Sequence, residues 1–200
     1  LTYVALATLV LIIWILAPSI SLIIFLIVAS FHFGKEDTQF LIDENSSFYQ
    51  LLFFLKGLLI ILAPAFFHFN ETITIFKYLL IDNEFFYSAL EFIEVNKILY
   101  ISIVLSTLSY IYLFLKNFKI HKITIFFDYF SILILNYFLS PLVAFTIYFC
   151  FLHSVKHSFG LIYEINKKNF KVGLNKFIKK ALPLTIITTI LFIVSVYVLI

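Results

Sequence analysis

Apolar residues in this chain come in long unbroken runs, not in alternation with polar ones. Seven runs stand out: residues 1–17, 19–33, about 50–69, 97–115, 123–139, 141–157 and 181–200. Pro18 divides the first two, and Ser140-Pro141 divides the fifth from the sixth. Proline lacks a backbone donor and crowds the preceding turn, so it is a natural break between helices. Each run is roughly 15–20 residues, at the short end of what crosses about 30 Å of hydrocarbon. In lipid, backbone polar groups must be satisfied internally, which leaves helices and closed barrels. Continuous apolar runs favour helices. The pattern predicts an all-α fold, a polytopic transmembrane helix bundle of about seven spans, with residues 1–200 forming a single membrane-embedded domain.

Composition sharpens this. The chain is 63% hydrophobic and 12% charged, where a soluble domain is nearer a quarter charged. Its mean hydropathy is +1.09. Its natural partner is therefore the lipid bilayer, and no nucleic-acid partner is expected. Cys150 is the one cysteine, which excludes an internal disulfide and a CxxC metal site. Leu1 is not an initiator methionine, and the chain opens inside an apolar run. The expectation is a fragment or processed chain with residues missing upstream. A signal peptide fits poorly, because no basic stretch precedes the first run. All basic residues are Lys, and the 27 Phe fit an AT-rich genome and carry no functional weight.

Charge placement orients the spans, because lysines collect in cytoplasmic connections. Residues 156–180 carry Lys156, Lys167, Lys168, Lys171, Lys176, Lys179 and Lys180 against Glu164 alone. Lys116, Lys119 and Lys122 follow the fourth run with no acid. Residues 70–97 hold five acids and two lysines and suit the outside. The 34–49 connection then falls inside. It is acidic (Glu36, Asp37, Asp43, Glu44 against Lys35), a mild conflict, since acids weigh little in this rule. His32, His153 and His157 thus end their spans on the cytoplasmic side of a multi-pass cell-membrane protein. His68 ends its span on the opposite side, and His121 lies in a Lys-rich connection.

His153 and His157 are spaced i, i+4, which places both imidazoles on one helix face and suits two ligands on one metal. The plainer reading is an interfacial helix end with two ordinary polar residues. Against it, His153 follows an apolar stretch, and ionisable groups at membrane depth mark functional sites by default. His32, in Ser30-Phe31-His32-Phe33-Gly34, is the third candidate ligand. An all-histidine set suits iron, zinc or copper. Asp128, early in the fifth span, is the candidate to accept the second ring N–H of a metal-bound histidine. It could equally partner Lys122 or a neighbouring Lys. Glu36 and Asp37 are read as solvated interfacial charges, and Lys56 as snorkelling to the surface.

These residues carry a family resemblance. Ser30-Phe31-His32-Phe33-Gly34-Lys35-Glu36-Asp37 resembles the SxHFGxxD-type motif of the Brp/Blh β-carotene 15,15′-dioxygenases, bacterial integral membrane enzymes. Residues 141–157, from Pro141-Leu142 through Tyr148-Phe149 to His153-Ser154-Val155-Lys156-His157, are similar to that family's PLxxFxxYFxxxHSxRH motif, with Lys156 in the Arg position. Lys56-Gly57, Pro64 and Phe67-His68 resemble a weaker pattern of the same family. The resemblance covers most of the chain, and the long second motif carries most of its specificity. It implies an Fe(2+)-dependent enzyme that uses O2 to split β-carotene at its central double bond into two retinals. It implies four histidine ligands, three of which map onto His32, His153 and His157. The fourth belongs to a helix upstream of Leu1, so the chain as given would hold an incomplete site, and the full-length protein is expected to be the enzyme. Oligomeric state is not implied.

Three other classes of membrane protein carry histidines or seven spans. A di-iron desaturase needs more histidines than the five present. A retinal-binding photoreceptor needs a Schiff-base lysine in a late helix, and residues 181–200 contain none. A transporter or scaffold with incidental histidines is the leading alternative once the resemblance is set aside.

Overall fold

A computed structural model describes residues 2–38, 41–42, 46–79, 83–116 and 118–199. Asp43 and Glu44 of the acidic connection, together with Asp82, lie outside the described residues, as does the side chain of His121. Among the described residues the secondary structure is helical, with no strand. The chain forms two compact units, Leu1–His153 and Ser154–Ile200.

The first unit contains α1 (Thr2–Leu16), α2 (Pro18–Glu36), α3 (Ser47–Phe67), α4 (Phe69–Tyr78), α5 (Glu84–Val95) and α6 (Ile98–Leu115). A 3-10 turn (Ile120–Lys122), α7 (Ile123–Phe138), α8 (Pro141–Ile147) and a π-helical segment (Tyr148–His153) complete it. The second unit contains α9 (Ser154–Ile165) and α10 (Phe170–Leu199). Five helical stretches are long and apolar enough to cross a membrane: Pro18–Glu36, Ser47–Phe67, Ile98–Leu115, Pro141–Ile165 and Phe170–Tyr197. The protein is a helical membrane protein. Helices α1 and α7, at 15 and 16 residues, are the short members of the set read from sequence.

Two stretches depart from the hydropathy pattern. Residues 70–97 hold two amphipathic helices, α4 and α5, and the Asn83 side chain caps α5 by accepting from Phe86 N at 3.0 Å. The last helix starts at Phe170, well before the apolar run. Asn169 Oδ1 accepts from Val172 N at 3.2 Å and starts it. Lys171, Lys176, Lys179 and Lys180 then extend it as good helix formers.

The core of the first unit is built on α2 and α3. A Cβ placed on Gly34 would collide with the Phe53 carbonyl oxygen, and one on Gly57 with that of Ser30. Ser30, Gly34 and Gly57 therefore let two backbones meet directly, as small residues do where lipid gives helices no hydrophobic reason to associate. The Ser109 hydroxyl ties α6 to α3 by donating to the Leu52 carbonyl at 2.7 Å. Lys122 is only 5% exposed. Its Nζ donates to the carbonyls of Lys116 at 2.6 Å and Leu113 at 3.4 Å, covering acceptors that the end of α6 leaves open.

Lys56 does not snorkel. It is fully buried, with Nζ 5.0 Å from the centre of the Tyr110 ring. Its position on α3 faces the bundle, so the stem cannot reach an interface and the charge is met by an aromatic face inside.

Candidate active site

Asp37 is the centre of the site. Gly34 brings the end of α2 against α3, and the helix closes with Asp37 N donating to the Phe33 carbonyl at 3.1 Å. The Thr38 hydroxyl donates to the Gly34 carbonyl at 2.7 Å. This turn sends the Asp37 carboxylate inward, where it is only 8% exposed. Each oxygen is occupied. Tyr148 O–H donates to Oδ2 at 2.5 Å, and His153 Nδ1–H donates to Oδ1 at 2.9 Å. Asp37 is therefore not a solvated interfacial charge. A buried carboxylate with two strong donors is stabilised well enough to remain inside.

The π-helical segment makes this double contact possible. Tyr148 and His153 are five apart, which on an α-helix would turn them about 140° away from each other. Hydrogen bonds from i to i+5 widen the turn, and residues five apart then share a face. The two rings stack 6.3 Å apart with 27° between their planes.

The contact also fixes the histidine tautomer. A carboxylate accepts, so Nδ1 carries a proton, and in the neutral ring the lone pair is then on Nε2. That is the form in which an imidazole binds a metal, with its other nitrogen oriented by a carboxylate. The His32 ring, from α2, lies 5.7 Å from the His153 ring, centre to centre, at 66°. His153 is buried and His32 exposed. Phe33 meets His153 edge-on at 4.7 Å and Phe149 stacks on it at 5.8 Å, so one side of the centre is dry.

Of the residues singled out from sequence, His32 and His153 come together. His157 lies on α9 in the second unit and is half-buried. Asp128 is 4% exposed on α7. The carboxylate on His153, however, is that of Asp37. Among the described residues no group of three or more potential ligands gathers to hold a metal. The two imidazoles fit part of such a site, with neutral donors and one ring nitrogen already held by a carboxylate. His68 has a structural task at the junction of α3 and α4. Its Nε2–H donates to the Asn136 carbonyl at 2.8 Å, and Nδ1 lies 3.7 Å from Glu71. Asp37 and Tyr148 were missed because their pairing spans 111 positions. The only sequence signal was their presence in the two motifs.

Fold and site together define a multi-span helical membrane protein with a buried histidine–carboxylate pair beside a second histidine. Comparison with protein families matches residues 1–200 to beta-carotene 15,15'-dioxygenase. The chain belongs to that family, and with it to the carotene dioxygenases. Comparisons with curated proteins and with solved structures find no match.

Proposed function

We propose that this protein cleaves β-carotene at its central double bond with O2, giving two retinals, at a non-haem iron held by His32, His153 and His157. The observation that carries the reading is the His153–Asp37 hydrogen bond at 2.9 Å, the carboxylate contact that commonly orients a metal-ligating imidazole. His32 approaches from α2, and His157 follows His153 by one helical turn along the sequence. When bound, Fe(2+) supplies the oxygen-activating redox chemistry. The reaction balances without another reductant: one C=C bond is broken, and each new aldehyde takes one atom of O2.

The chain's own residues hold, orient and dry the centre. Asp37 fixes the ring of His153, and Tyr148 fixes Asp37. Phe33 and Phe149 keep water from one side of the histidines. The lysine-rich connections argue that this end of α2 faces the cytoplasm from the inner membrane. A lipophilic substrate would enter sideways from the bilayer.

The test is to express the full-length protein in β-carotene-producing cells and measure retinal. Membrane-inserted protein with undiminished β-carotene and no retinal refutes the assignment. His153→Ala, His32→Ala and His157→Ala should each abolish retinal formation and lower the iron content of the purified protein.

A further inference from the structure

An apolar cleft of about 180 Å³, walled by α2, α3, α4 and α8, has Phe33 in its lining, and Phe33 also meets the His153 ring. At its near end stand Phe33 and Phe145, with ring centres 6.3 Å apart. Its far end is formed by Leu22 of α2 with Thr72 and Phe76 of α4. Phe76 is backed there by Phe86, 6.1 Å away. Leu22 and His32 are ten residues apart on α2, a rise of about 15 Å. Among the described lining residues, Thr72 has the one polar side chain. Its hydroxyl is already donated to the His68 carbonyl at 3.0 Å. The cleft therefore offers a dry, hydrocarbon-only space that reaches as far as Phe33, and the Phe33 ring, 4.7 Å from that of His153, stands between it and the histidines.

We infer that this cleft is a ruler. It seats one half of the carotenoid with its end ring against Leu22, Thr72 and Phe76, and so fixes which double bond lies at His32 and His153. The inference rests on the reading that β-carotene is cleaved at this centre, and adds what sets the position of cleavage. The distance from the central bond of an extended β-carotene to its ring is of the same order as the rise from His32 to Leu22. Phe33 is the narrow point and turns aside as the polyene threads past it. If the far wall recedes, the polyene slides inward and a bond off centre meets the oxidant. The products are then two unequal carbonyl compounds, one longer and one shorter than retinal, each with one atom of the same O2: an aldehyde where the cleaved carbon carried hydrogen and a ketone where it carried a methyl group.

Two measurements test the ruler separately from the activity itself. The first compares the cleavage products, aldehydes and ketones, formed by wild type and Phe76→Ala in β-carotene-producing cells. Phe76→Ala should give an unequal pair of carbonyl products, aldehyde or ketone, alongside retinal. Retinal alone, at the wild-type proportion, overturns the ruler while leaving the activity established. The second reads β-carotene retained by detergent-purified protein, from its absorption per chain, and needs no turnover. Leu26→Trp, which fills the cleft, should lower retention at least tenfold. Ile111→Trp, which fills a separate apolar cavity between α6 and α7, should leave it unchanged. Equal retention by Leu26→Trp and wild type, with monodisperse protein of native helicity, overturns the proposal even if Phe76→Ala proves inactive.

Discussion

Replacing Asp37 separates its part in the proposed metal site from its part in the fold. Its carboxylate takes two short hydrogen bonds, from Tyr148 at 2.5 Å and His153 at 2.9 Å. Hydrogen bonds to a charged group contribute about 1.5–3 kcal/mol each. Asp37→Ala removes both and strands two buried donors, so the expected loss of stability is about 3–5 kcal/mol. Asp37→Asn acts differently. Its amide oxygen can still accept from Tyr148, but its NH2 then faces His153. The imidazole can satisfy that donor only by moving its proton to Nε2, the nitrogen a metal needs. Asp37→Asn should therefore cost only about 1 kcal/mol of stability yet reduce metal affinity about 10- to 100-fold. The assay pairs unfolding in detergent with iron per chain by mass spectrometry on the full-length protein. Wild-type iron content in Asp37→Asn, with stability also unchanged, would refute the claim that Asp37 sets the tautomer of His153.

Other outcomes follow from the packing. Gly57→Leu forces α2 and α3 apart and should destabilise the bundle by about 1–3 kcal/mol or more, read as a lower unfolding midpoint; a neutral result would disprove direct backbone contact. Lys56 and Asp128 are buried residues of opposite ordinary charge, and Lys56 Nζ lies 5.0 Å from the centre of the Tyr110 ring. Lys56→Met should cost about 3–5 kcal/mol, and adding Asp128→Asn should recover part of that loss. Additivity within about 0.5 kcal/mol would show that the two charges do not interact. His68→Ala removes the bond to the Asn136 carbonyl and should cost about 1–3 kcal/mol, while retinal formed per folded chain stays at the wild-type level.

Sequence alone determined the membrane class, most helix positions and the residues worth suspecting. Hydropathy is a local property, and a run of apolar side chains needs no knowledge of its neighbours to prefer lipid. Proline breaks and lysine clusters are likewise read in place. The motifs around His32 and His153 drew attention to two residues that the fold brings side by side for the same reason, since each motif is contiguous. Tertiary structure decided what those residues do. Glu36 and Asp37 are adjacent acids at one helix end, and only the approach of Tyr148 and His153 makes Asp37 a buried hydrogen-bond centre. Only the widened turn before His153 lets residues five apart share that carboxylate, and backbone hydrogen-bond register leaves no mark on composition. Lys56 was assigned to the interface because a long stem can reach it, but the side of α3 on which it sits depends on how α3 packs against α6. What a buried polar group does depends on what is brought to it, and those partners lie far away along the chain.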